Sequence, residues 1–180
     1  MKKQLIIPVV LLSLLVGFVA ASEDKYAGKV PGGLAFSEFR GYEGWQTIGV
    51  SRSEKAMAVI LGNPAMINAY RAGIPANGKP VPDGAKMAKV HWAPKQNQFF
   101  PDATVPGELM NVDFMVKDGK RFADSGGWGY AVFEYDAAAR TFKPGDATSK
   151  PPQGNDARCG AACHTAAKAT DYVFTEYGAR

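Results

Sequence analysis

The chain has 180 residues, of which 46% are hydrophobic and 21% charged, with a formal net charge of +4. That is enough apolar material for one domain with its own core, and the cationic excess is too small to point to nucleic acid or an anionic membrane surface. Two clustered cysteines, Cys159 and Cys163, argue against a fold stapled together by disulfides.

Residues 1–21 predict a secretory signal peptide. Lys2 and Lys3 make the positive start, Leu5 to Val19 is the apolar run, and Val19 and Ala21 fit the small-residue rule for cleavage before Ser22. The run is short of the about 20 residues that a span requires, and no positive stop follows it. The expectation is export to a bacterial periplasm with no stable membrane anchor. An exported chain also has little occasion to meet nucleic acid.

Residues 22–40 read as an N-terminal lead-in, polar and glycine-rich as far as Phe36 and expected to be loosely ordered. Residues 41–180 read as a single domain. Trp45 to Val50 predicts a short strand and Ala56 to Leu61 a second, apolar throughout. A helix start follows: Asn63 as cap, Pro64 in the first position, Arg71 in the last turn and Gly73 as the stop. Met66 falls on the same face as Ala69 and Tyr70 and reads as core rather than ligand. Gly73 to Gly84 is a turn-rich connector.

Ala85 to Trp92 alternates, with Met87, Lys89 and His91 on one face and Lys86, Ala88, Val90 and Trp92 on the other. Pro94 to Gly107 reads as loop and Glu108 to Val116 as strand, with a turn at Asp118-Gly119. Trp128 to Tyr135 is an aromatic strand with Trp128, Tyr130 and Val132 on one face and Phe133 and Tyr135 on the other. Ala137 to Asn155 breaks order again, after which Asp156 caps a helical turn carrying the cysteines; Thr170 to Tyr177 fits helix and strand equally. The fold class expected is mainly antiparallel β (α+β): a single domain with a few short helices and the cysteine segment near its C-terminus.

The chemistry concentrates at Cys159-Gly160-Ala161-Ala162-Cys163-His164, which holds both cysteines and one of the two histidines. Its ending is that of a c-type haem attachment signature, in which the thiols bond the haem vinyls and the adjacent imidazole ligates the iron. The usual spacing is C-x-x-C-H, and here one residue more separates the thiols. On a helix, positions three and four apart are both neighbours, with Cβ atoms roughly 5–6 Å apart, so either spacing can follow one haem edge. A single thioether from Cys163 is a variant of this reading. A Cys159–Cys163 disulfide in an oxidising compartment is the plain alternative, with His164 a surface side chain. Zinc is a poor third, since finger spacing is absent.

Three stretches together resemble the cytochrome P-460 family and the related cytochromes c′-beta. They are Pro82-Asp83-Gly84-Ala85-Lys86-Met87-Ala88-Lys89, Val116-Lys117-Asp118-Gly119-Lys120-Arg121-Phe122-Ala123 with Trp128, and Cys163-His164 leading to Lys168-Ala169-Thr170-Asp171-Tyr172-Val173-Phe174-Thr175. The resemblance runs over roughly Gly41 to Tyr177. It implies an exported, β-rich homodimer carrying covalent haem c on Cys159 and Cys163, with His164 as proximal iron ligand. It also implies a catalytic place for Lys89, matching the lysine that P-460 proteins cross-link to a meso carbon of the haem. Read without the family, Lys89 is a solvated strand lysine.

The P-460 enzymes oxidise hydroxylamine or a related small nitrogen species, with a soluble protein as electron acceptor. The c′-beta relatives bind nitric oxide in a pocket of apolar rings without turnover. Here Phe99, Phe100, Phe114 and Phe122 are candidate pocket rings, and Asp102, Glu108, Asp113 and His91 candidate polar groups. His91 as a second axial ligand would make an electron-transfer haem. Two departures from the family pattern stand: the extra residue between the cysteines, and the apolar strand Ala56 to Leu61, where hydroxylamine-oxidising members place an arginine.

Overall fold

The strands follow one another across a single antiparallel sheet, each paired with the next in the chain. They are β1 (Gln46–Arg52), β2 (Met57–Gly62), β3 (Lys86–Gln96), β4 (Thr104–Lys117), β5 (Trp128–Asp136) and β6 (Thr141–Pro144), in the order β1-β2-β3-β4-β5-β6. This computed structural model describes residues 24–155 and 157–179. The signal peptide, its cleavage before Ser22 and the Asp156 cap lie outside the described residues.

Two short α-helices interrupt the meander: α1 (Pro64–Arg71) between β2 and β3, and α2 (Ala157–His164) after β6. The start of α1 is as expected. Asn63 Oδ1 accepts the Met66 N–H at 3.0 Å, satisfying one of the helix's orphan donors. The same side chain accepts the Lys86 N–H and donates to the Gly84 carbonyl, each at 2.9 Å, so the cap also joins the helix to β3. Gly73, at φ +77°, takes the left-handed step that ends the helix.

Strand alternation gives the sheet two faces, and both β3 and β5 divide their side chains as expected. On the first face Ala88, Val90, Phe114, Phe133 and Phe142 join one core cluster. On the second, Ile48, Ile60, Met87, Met115, Trp128 and Tyr130 join another, with Met66 and Ile67 of α1 and Ala157 of α2. Met66 is fully buried there, as a core residue.

Several expectations are corrected. The lead-in is packed, not loose: Tyr26, Val30, Leu34, Phe36 and Phe39 are buried and cover the first face. Their spacing follows no helix or strand period, because the segment wraps the sheet instead of joining it. Its short 3-10 turn (Phe36–Phe39) is tied by Glu38, which accepts the Ala35 N–H at 3.0 Å and pairs with Arg121 at 2.7 Å.

Half of the predicted loop Pro94 to Gly107 continues β3 and β4, which leaves residues 97–103 to turn the chain. Pro94 and Pro106 face each other across a shift in register, where the ladder tolerates a missing N–H. A Cβ on Gly107 would sit 2.8 Å from the Ala93 carbonyl oxygen, so glycine is what lets the strands close there. Within the stretch Ala137 to Asn155, β6 was too short for its alternation to register. The tail is neither α-helix nor strand: a 3-10 stretch (Thr165–Thr170) gives way to a turn and then irregular chain.

Candidate functional site

The second face is only partly filled. Between it, α2 and the C-terminal tail lies a cavity of about 680 Å³, within the usual range for a small-molecule or cofactor site. Its sheet wall is Val50 and Ser51 of β1, Ile60 of β2, Met87 and Lys89 of β3, Asp113 and Met115 of β4, and Tyr130 and Val132 of β5. Helix α2 contributes Cys159, Gly160, Cys163 and His164, and the tail contributes Val173, Phe174 and Thr175.

Helix α2 lies directly against β5, and Gly160 makes that approach. A Cβ there would come 2.9 Å from both Cβ and Cγ of Tyr130, the inflexible root of the ring. The glycine between the cysteines therefore sets the depth of the helix. Cys159 and Cys163 are exposed, unbonded thiols, and both line the cavity. The tail is held from the far side by α1: Tyr70 Oη donates to the Thr175 carbonyl at 2.7 Å, and Tyr70 and Tyr177 stack with centroids 5.3 Å apart.

His164 ends α2 between two rings, with Tyr130 at 5.2 Å and Phe174 at 4.9 Å centroid to centroid. Its Nδ1 lies 2.7 Å from the Tyr172 carbonyl oxygen. A carbonyl only accepts, so Nδ1 carries the proton and Nε2 keeps the lone pair. Burial pushes the His164 pKa below its ordinary value, and Lys89 pushes the same way; the Tyr172 carbonyl and Asp113 oppose them. The net result is a neutral imidazole whose Nε2 lone pair is available to a ligand, its other nitrogen tied as in metal-binding histidines.

Lys89 and Asp113 are register partners on β3 and β4 and the charged side chains of the sheet wall. Asp113 Oδ1 accepts from Asn111 Nδ2 at 2.5 Å. Its Oδ2 lies 3.0 Å from His91 Nε2, close enough for an ion pair but without hydrogen-bond alignment. Tyr130 Oη is buried with no hydrogen-bond partner among the described residues, and burial raises the Tyr130 pKa. An unpartnered buried hydroxyl is costly; on a ring that lines the cavity, it is a place where a bound group can supply the missing acceptor.

Lys89, far away along the chain, thus shares one cavity with Cys159, Cys163 and His164 of α2. Of the candidate rings, Phe114 lines it, although that ring also stacks on Phe39 at 4.1 Å across the first face. Phe99 and Phe100 are exposed at the β3–β4 turn, and Phe122 is buried in the first-face core. Among the polar candidates Asp113 lines the cavity; Asp102, Glu108 and His91 do not.

Sequence reasoning missed Phe174, the Tyr172 carbonyl and the role of Gly160. The first two lie in the aromatic tail, whose sequence carries no period to read. Among the described residues no group of three or more His, Cys, Asp and Glu side chains could hold a bare metal ion. One imidazole beside two thiols suits a metal whose remaining ligands arrive with it, as in a porphyrin. Cavity, thiols and imidazole therefore fit a haem. Residues 39–175 match the family model described as Cytochrome P460. No match is found among curated proteins.

Proposed function

The chain belongs to the cytochrome P460 family, whose members carry haem, and from that we propose a periplasmic c-type haem oxidoreductase acting on hydroxylamine or a related small nitrogen species. The observation that carries the proposal is the convergence of Lys89, Cys159, Cys163 and His164 on one cavity. The haem, when bound, supplies a redox-active iron with an open coordination position.

The protein's own residues do the rest. Cys159 and Cys163 would hold the haem covalently through their thiols. His164 would hold the iron through Nε2, while the Tyr172 carbonyl accepts from Nδ1–H and fixes the ring. Lys89, on the cavity wall, would be the residue that meets a meso carbon of the haem. The apolar wall of Val50, Ile60 and Val132 limits water at the substrate. Electrons from the substrate pass to a soluble acceptor protein, and the working unit is a homodimer.

A second reading, nitric oxide binding without turnover, is favoured by the wall that β2 supplies. Ile60 stands on that strand, and no arginine lines the cavity among the described residues.

The test uses holoprotein from a periplasm competent in haem maturation. Intact mass should show the polypeptide plus one haem, and the Soret band should be strongly red-shifted, returning to an ordinary c-type position in Lys89→Ala. Hydroxylamine turnover with an artificial acceptor should accompany it. A five-coordinate haem without turnover would select the gas-binding reading. A colourless protein with Cys159 and Cys163 bonded to each other would end both.

A further inference from the structure

The bond that orients His164 ends on a backbone carbonyl, and that carbonyl sits in an improbable piece of chain. Asp171 and Tyr172 are consecutive non-glycine residues at positive φ, +51° and +65°. Tyrosine in the left-handed region is costly, and such strain persists where the surroundings over-determine it.

The surroundings here are specific. Lys117, at the end of β4 and 7% exposed, places Nζ 2.9 Å from both Asp171 carboxylate oxygens and 2.9 Å from the Gly126 carbonyl. Asp171 Oδ2 also accepts the Val81 N–H at 2.8 Å, and the Asp171 carbonyl accepts Trp128 Nε1–H at 2.8 Å. The Tyr172 ring covers Gly126 so closely that a Cβ there would fall 2.2 Å from it. Three separate segments therefore grip two residues.

Neither Lys117 nor Asp171 lines the cavity. A buried ion pair is a poor source of net stability, because desolvation of both charges offsets their attraction. What this pair does is hold the bend that aims the Tyr172 carbonyl at His164 Nδ1. We propose that Lys117 and Asp171 are positioning residues for His164, setting through the Tyr172 carbonyl how strongly the imidazole donates to the iron.

The inference rests on His164 being the iron ligand. Strong donation from Nδ1–H gives the ring imidazolate character, raises its basicity and favours ferric iron. Loosening the bend weakens that bond.

The experiment compares wild-type, Asp171→Asn and Lys117→Met holoproteins by resonance Raman of the ferrous form and by midpoint potential. Asparagine keeps an acceptor for the Val81 N–H, so Asp171→Asn tests the charge with least disturbance. Phe133→Leu, on the opposite face, serves as a control lowered in stability alone. The iron–imidazole stretch should move to lower frequency and the potential should rise in both pair variants, and in neither respect should the control move. An unmoved stretch and potential in folded Asp171→Asn holoprotein overturns the inference. So does collapse of the fold in that variant, which would make the pair a fold determinant. If His164 were not the ligand, the wild-type stretch would be absent or would persist in His164→Ala, so failure of the underlying reading is recognised separately.

Discussion

The two faces of the sheet are built from the same strands and do opposite things. The first is closed by rings: Phe36 lies 4.7 Å from Phe133 and 4.9 Å from Phe142, and Phe39 stacks on Phe114 at 4.1 Å. The second has an apolar floor at one end, under α1, and a cavity of about 680 Å³ at the other, under α2 and the tail. Ring packing fills space and contributes stability beyond buried area. An open cavity forgoes those contacts. The first face thus supports a rigid sheet, on which the second can hold a lysine, two thiols and an imidazole in fixed relation.

The sharpest way to break that division is Phe36→Ala. It removes a fully buried ring and should cost about 3–5 kcal/mol, read from the urea midpoint. The haem content of the protein that does fold should be unchanged. Loss of haem without loss of stability would show that the faces are not separable in this way.

Gly160→Val tests the opposite face. Its new side chain meets the root of Tyr130, an overpacking that costs about 1–3 kcal/mol. Intact mass should show a reduced fraction with covalent haem, because α2 is lifted from β5 and carries both cysteines with it. Unchanged attachment would mean that the depth of the helix does not matter.

Lys89→Ala should move stability by no more than about 0.5 kcal/mol, since the side chain stands partly exposed on the cavity wall. Its effect should fall on the absorption spectrum and on turnover. A large thermal shift would put Lys89 in the fold instead of the cavity chemistry.

The smallest effect is expected at a turn outside both faces. Hydrogen bonds from Ser149 and Thr148 hold the exposed Asp146 carboxyl down at about 2. A depressed carboxylate stabilises above its unfolded value, near 3.8, and that contribution fades as pH falls towards 2. Asp146→Asn should therefore lower stability slightly at neutral pH and flatten the acid limb of a stability–pH curve, the difference from wild type closing as pH falls towards 2.

Much of this could be read from the sequence wherever the signal was periodic or chemically unusual. The period of two in β3 put Lys89 on the same face as Met87, and that is the cavity face. The capped start of α1 was equally plain, because Asn63 and Pro64 act within a single turn. The strands through Pro94, Pro106 and Gly107 were hidden, because proline and glycine mark turns locally and are tolerated in a ladder only at shifts in register. The lead-in was hidden too, since a segment that wraps a sheet has no period of its own.

The order of residues alone determined five of the six strands, which side chains shared a face, and that two thiols and an imidazole would travel together on one turn. Those are short-range properties, fixed by backbone geometry and side-chain alternation. Only the folded chain could decide that Lys89 meets that turn across a cavity, and that the Tyr172 carbonyl receives the His164 proton. Backbone acceptors carry no letter in a sequence, and contacts across most of a chain depend on how far each layer lets the next approach.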